Sequence, residues 1–271
     1  MNNFTQRTLS AVVYAAIVIS SILVHPMYFG GVFLVITILA IREYHSLMNS
    51  ARITTCLSSL SGGVLFAIAW MLYNDISVTL GTLHLWVTFY MILLVATLVI
   101  ELFLKAENPI TNWGHILISQ VMIAFPFAIM NGVMADNKYL LLSLFIAIWI
   151  NDSGAYIVGS LLSKRKSGNH KMFPRVSPAK SWEGLIGGYV FTLIAGYVFY
   201  RVGWVDSLWL TIVLALAIST FGTLGDLMES LMKRTIGVKD SGRFMPGHGG
   251  VLDRFDSLLL ATPVVYLILS F

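Results

Sequence analysis

Charge is what this chain has least of. Only 11% of its 271 residues are Asp, Glu, Lys or Arg, against roughly 25% in ordinary soluble domains. Leu, Ile, Val and Phe instead recur in long blocks without a polar stripe, and hydrophobic types reach 57%. That argues against a soluble globular fold and for an all-α, polytopic integral membrane protein. Cysteine is nearly absent too. The single Cys56 excludes an internal disulfide and any multi-cysteine zinc site, and reads as a small packing residue. No HExxH or Cys/His spacing serves a softer metal, and no GxxxxGK[ST] cradles a nucleotide in the P-loop manner. Internal repeats and low-complexity tracts are missing. Arg7 precedes an apolar stretch with no obvious small-x-small cleavage site, so that stretch is expected to be a retained first span.

What is present is about nine apolar stretches of bilayer-crossing length. They lie near 8–24, 28–47, 57–73, 80–104, 115–134, 139–162, 184–201, 208–232 and 254–271. Two connections are long, 163–183 and 233–253. The expected organisation is an N-terminal helical scaffold over 1–135, a possible oligomer contact, and a C-terminal catalytic region over 136–271. Threading nine spans puts fifteen of the seventeen Lys and Arg on the side of the N-terminus, leaving Lys138 and Arg201 opposite. The positive-inside rule makes the crowded side cytoplasmic. The net charge of +4 is then mostly a property of that face. It suits anionic lipid or a polyphosphate and requires no nucleic acid.

Against this background the acids stand out. Asp152, in "WINDSGAYIVG", lies about 15–18 Å from either end of its span at helical rise. A charge near the bilayer centre costs about 2.5–3.5 kcal/mol even on the lenient insertion scale. No basic residue lies one turn away, so compensation must come from another segment, a proton or a metal ion. A polar helix–helix contact with Asn151 and Ser153 is the plainer alternative. In "FGTLGDLMESLMKR" the spacing puts Asp226, Glu229, Ser230 and Lys233 on one helix face. Those acids either pair with Lys233 and Arg234 at the interface or serve a site. Asp253 and Asp256 fall in the first turns of the last span, where the helix dipole favours negative charge. Capping accounts for one of them. Together the acids suit a hard cation such as Mg2+, whose shell substrate phosphates usually complete.

The loop "MPGHGGVLDRFDS", residues 245–257, has glycines that let backbone N–H groups approach phosphate oxygens. Lys239, Arg243, His248 and Arg254 can screen a triphosphate, although a solvated basic loop is the plainer alternative for each. The other long connection, ending in "SPAKSWEG", reads either as a linker for anionic headgroups or as something more specific.

These stretches carry a resemblance. "SLMKRTIGVKDSGRFMPGHGGVLDRFD", residues 230–256, resembles without a gap the signature of the CDP-diacylglycerol synthases, also called phosphatidate cytidylyltransferases. Ser230, Lys233, Arg234, Lys239, Asp240, Gly242, Pro246, His248, Gly249, Gly250, Asp253, Arg254 and Asp256 fall where the family has them. "NDSGAYIVG", "PRVSPAKSWEG" and "GDLMES" resemble its other blocks. The likeness covers roughly residues 140–260, and the first half shares only the hydrophobic layout.

The resemblance implies transfer of the cytidylyl group of CTP to phosphatidic acid, giving CDP-diacylglycerol and pyrophosphate. It implies Asp226 and Asp253 as Mg2+ ligands, with a second cation possible. Asp152, Glu229 and Asp256 would support that site. Lys239, Arg243, His248 and Arg254, with Gly249 and Gly250, would face the triphosphate, and Arg175, Ser177 and Lys180 would be further phosphate contacts. The expected setting is a bacterial inner membrane, with the N-terminus and active site cytoplasmic, the chain surrounded by membrane lipids and paired as a homodimer. Two rivals stay open: a related membrane enzyme using CTP on another lipid, and an ion-coupled transporter, since intramembrane acids also serve transport.

Overall fold

The computed structural model describes residues 3–74, 79–105, 107–164, 170–242 and 249–271. Helices dominate: α1 Asn3–Val24, α2 Pro26–Leu47, α3 Arg52–Tyr73, α4 Leu80–Ile100, α5 Pro109–Ile118, α6 Phe125–Asp136, α7 Lys138–Ser163, α8 Trp182–Arg201, α9 Leu208–Thr235 and α10 Leu252–Leu269. A π-helical stretch, Ser119–Ala124, joins α5 to α6. Among the described residues, seven helices are long and apolar enough to cross a membrane: α2, α3, α4, the continuous 109–136 segment, α7, α8 and α9. The chain is an all-α, polytopic integral membrane protein. The first and last expected spans coincide with α1, whose apolar stretch is described over Thr8–Val24, and with α10, which has Asp253, Arg254 and Asp256 in its first turns.

Local chemistry sets the helix ends. Pro26 and Pro109 occupy first-turn positions where a missing N–H costs nothing. Side chains cap the starts of α4, α5, α7, α8 and α9: Thr79, Asn108, Asn137, Ser181 and Ser207 each accept a backbone N–H. Beyond α9, Gly237 adopts φ 76°, the left-handed turn that releases a chain from a helix. The widened π turn precedes Pro126, which lacks an N–H to continue the regular ladder.

Two compact units result. The first comprises 1–135 with 240–255, the second 136–239 with 256–271. In the first, α2 and α3 pack together and α3 meets α4 and the π stretch. Its core is aromatic: Phe29 stacks on Phe33 at 4.4 Å, and Phe255 sits 5.3 Å from Phe127 and 6.1 Å from Phe33, centroid to centroid. Tyr14 adds an edge contact to Phe255 at 5.7 Å. Phe255, at the end of the 240–255 segment, thereby fastens the start of α10 into this unit.

α3 buries its polar side, with Thr54, Ser58 and Ser61 inside and Leu60 facing out. Lipid, unlike water, gives no reason to hide a leucine, whereas hydroxyls need partners. Cys56, expected as a packing residue, is exposed on this same helix.

In the second unit α8 lies against both α7 and α9. A Cβ on Gly188 would come within 2.5 Å of the Asn151 side-chain oxygen, and one on Gly154 within 2.8 Å of Phe191. Small residues let these helices approach closely, the usual device where apolar burial supplies no drive. The connection expected as a loop over 163–183 contains a short antiparallel hairpin, β1 Lys171–Phe173 with β2 Ser177–Ser181. His170 ties it to α8, its Nδ1 2.6 Å from the Glu183 carboxylate and its carbonyl accepting from Trp182 N at 3.0 Å.

Candidate active site

The second unit assembles an acidic cluster around the hairpin. Lys180, near the end of β2, reaches α9, with Nζ 2.6 Å from Asp226 Oδ2; it also donates to the Thr223 carbonyl at 3.3 Å. Ser230 Oγ donates to the other Asp226 oxygen at 3.2 Å, the i,i+4 contact that the helical spacing foretold. One turn on, Lys233 Nζ lies 3.2 Å from Glu229 Oε1, both side chains nearly buried. Asp256 on α10 interacts electrostatically with Asp226 and Asp152 and lies against Glu229. Asp152 opens onto a cleft of about 340 Å³ that Asn151, Tyr156, Lys180, Ser181 and Asp226 also line.

The acids of three helices therefore share one neighbourhood. Among the described residues, four carboxylates there face two ammonium groups, leaving two formal negative charges. Lys180, expected as a phosphate contact, holds Asp226 here, and Asp226 pairs with it rather than with Lys233 or Arg234. Arg175 is exposed in the hairpin turn, and Ser177, half-buried, starts β2. Lys239 is exposed just after α9.

The first unit holds the other expected residues in a different way. Asp253 Oδ2 accepts the backbone N–H groups of Ser241 at 2.9 Å and Gly250 at 2.8 Å. Gly249 takes φ +82°, a conformation that side chains resist, and a Cβ there would overlap the Asp253 carboxylate. Tyr14 donates its hydroxyl to the Arg254 carbonyl at 3.1 Å, while Arg254 Nε is buried without a partner among the described residues. Arg243 and His248 lie outside the described residues.

Glu43 is the residue that sequence reasoning passed over. It lies on α2 and receives Val251 N at 2.8 Å and Leu252 N at 3.0 Å, together with the Ser241 hydroxyl. Ser241 Oγ in turn accepts Asp253 N at 3.3 Å. Cβ atoms at Gly242 or Gly250 would overlap this carboxylate. The available signal was an acid next to Arg42 at the end of an apolar span; nothing local connects it with residues some 200 positions on.

Among the described residues, no group of three or more His, Cys, Asp or Glu side chains is arranged to hold a metal ion alone. The donor set nevertheless fits Mg2+. It is all oxygen and carries surplus negative charge, and this ion commonly uses one or two carboxylates plus substrate phosphates.

A polytopic helical membrane protein that gathers the acids of three helices in one unit is the class that fold and side chains define. The family follows from comparison. The model of the cytidylyltransferase family matches residues 5–271, and the chain belongs to that family. The match takes in the N-terminal half, where the sequence motifs gave only a hydrophobic layout. Among similar proteins, the phosphatidate cytidylyltransferase of Staphylococcus haemolyticus is 41% identical over 154 residues, 56% of this chain and 57% of that protein. Those of Staphylococcus saprophyticus and Staphylococcus aureus are 40% and 39% identical over the same length and shares. The matched region thus spans little more than half of each curated relative.

Proposed function

We propose that the chain transfers the cytidylyl group of CTP to phosphatidic acid, releasing pyrophosphate and leaving CDP-diacylglycerol in the membrane. The observation that carries this reading is the family match across residues 5–271, together with surplus carboxylates where a phosphate-bound cation belongs. A phosphatidate oxygen forms the new bond to the α-phosphorus of CTP, and the bond from that phosphorus to the bridging oxygen breaks. The nucleophile is already anionic, so no strong base is needed. The difficulty is bringing two anions together, which positioning and cations solve.

Asp226 and Asp253 are the proposed Mg2+ ligands; their pairing rests on the sequence motif. When bound, the ion would neutralise triphosphate charge and ease the departure of pyrophosphate. Asp152, Glu229 and Asp256 give the surroundings of Asp226 their negative charge. Lys180 balances Asp226 until substrate and ion arrive, and can then turn to phosphate. Lys239, Arg243, His248 and Arg254, with the N–H groups near Gly249 and Gly250, would receive the triphosphate. A second cation and a homodimer belong to the same proposal, as do a bacterial cell membrane and a cytoplasmic N-terminus and active site.

The test is purified full-length protein in lipid nanodiscs containing phosphatidate, given labelled CTP with and without Mg2+. Label should enter the lipid phase, and pyrophosphate the solution, only with Mg2+. Folded protein that makes no labelled lipid under these conditions would overturn the reading. Replacing phosphatidate with other anionic lipids tests the narrower substrate assignment.

A further inference from the structure

We infer that Glu43, on α2, is a positioning residue for the cation-binding segment: its carboxylate fixes the backbone that aims Asp253. This rests on the transferase reading above. A helix N-terminus presents N–H groups without partners, and a nearby carboxylate is drawn to them. Asp253 is in the first turn of α10 and is the obvious candidate for that task.

The geometry assigns the task elsewhere. Glu43 takes Val251 N and Leu252 N, at 2.8 and 3.0 Å, and also receives the Ser241 hydroxyl. Asp253 is left to take Ser241 N and Gly250 N. Each carboxylate holds a different set of backbone N–H groups, and Ser241 touches both. Without the Glu43 charge, the first N–H groups of α10 would compete for the Asp253 carboxylate and turn it from its present direction.

The consequence is specific. Glu43 touches neither nucleotide nor lipid in this account, so its loss should appear as weakened use of the cation. Residues that orient metal ligands typically alter affinity by about 10–100-fold when replaced. Wild type, Glu43→Gln and Glu43→Asp would be prepared as full-length protein in nanodiscs. Labelled-lipid formation would be followed against Mg2+ concentration, and amide hydrogen exchange recorded without substrate.

For Glu43→Gln the half-saturating Mg2+ should rise about tenfold or more. Exchange should quicken in peptides covering 249–258 and stay unchanged in α4. Glu43→Asp, which keeps the charge, should recover part of both effects. A Glu43→Gln protein with wild-type Mg2+ dependence overturns the proposal, whatever its exchange. So does faster exchange throughout the chain, which would make Glu43 a general packing residue. If wild type makes no labelled lipid, the transferase reading fails, and exchange alone still decides whether Glu43 holds the start of α10.

Discussion

The acids of the first unit and those of the second are alike in type and held by different kinds of partner. Glu43 and Asp253 are occupied by backbone N–H groups, each within about 3 Å of its oxygen. Asp226 and Glu229 face lysine side chains, and Asp256 faces other carboxylates. Backbone partners are fixed by the fold, whereas lysine partners can swing away on long flexible stems. The first arrangement is therefore a frame, and it sets the direction of Asp253. The second holds negative charge in a form that an arriving cation and phosphate can re-pair.

The strongest way to break this comparison is to loosen the frame from within. Phe255→Ala removes a side chain that meets Phe33, Phe127 and Tyr14. The expected loss of stability is about 3–5 kcal/mol, the usual range for a buried Phe. It is checked by thermal unfolding in micelles, and an unchanged midpoint would mean that the cluster is not what holds the start of α10. Asp226→Asn addresses the second unit. Label transfer should fall roughly 10²–10³-fold, as when one electrostatic stabiliser of a transition state is removed, while the unfolding midpoint stays close to wild type. Retained activity would remove Asp226 from the site.

Lys180→Gln sharpens the contrast at smaller scale. Its ion pair is partly solvated, with 23% and 30% of the two side chains exposed, so without Mg2+ the loss should be about 1 kcal/mol or less. Added Mg2+ should then restore the midpoint by replacing the lysine's charge; failure of that rescue would mean that the surplus negative charge does not recruit an ion. Ser181→Ala deletes the α8 cap, which accepts Gly184 N at 3.1 Å. It should cost roughly 0.5–1 kcal/mol and leave the Mg2+ dependence of transfer untouched. A shifted dependence would show that the hairpin end is part of the cation site.

Much of the helical layout was legible because a bilayer asks for long apolar stretches, and each expected span falls on a helix. The third span was placed too late, at 57 rather than Arg52. Its first turn is polar, and Thr54 is buried against Glu101 at 2.8 Å, which hydropathy cannot foresee. The hairpin was not legible either. Its strands have three and five residues, and Pro178 discourages a strand reading except at an edge.

Within the site, contacts at helical spacing, such as Ser230 with Asp226, could be read directly. Lys180 could not be paired with Asp226, because the hairpin that delivers it was not foreseen. Glu43 lay beyond reach for the same reason in stronger form: its hydroxyl partner Ser241 is 198 residues away. Sequence spacing reports neighbours along an element. The identity of the residue that crosses from another element is set by packing.

The central claim is that the carboxylate of Asp226 helps recruit a divalent ion with CTP. Mn2+ can stand in for Mg2+ and be followed by electron paramagnetic resonance on full-length protein with CTP. Wild type should give a protein-bound Mn2+ signal that Asp226→Asn lacks. An equal signal from both proteins would contradict the account.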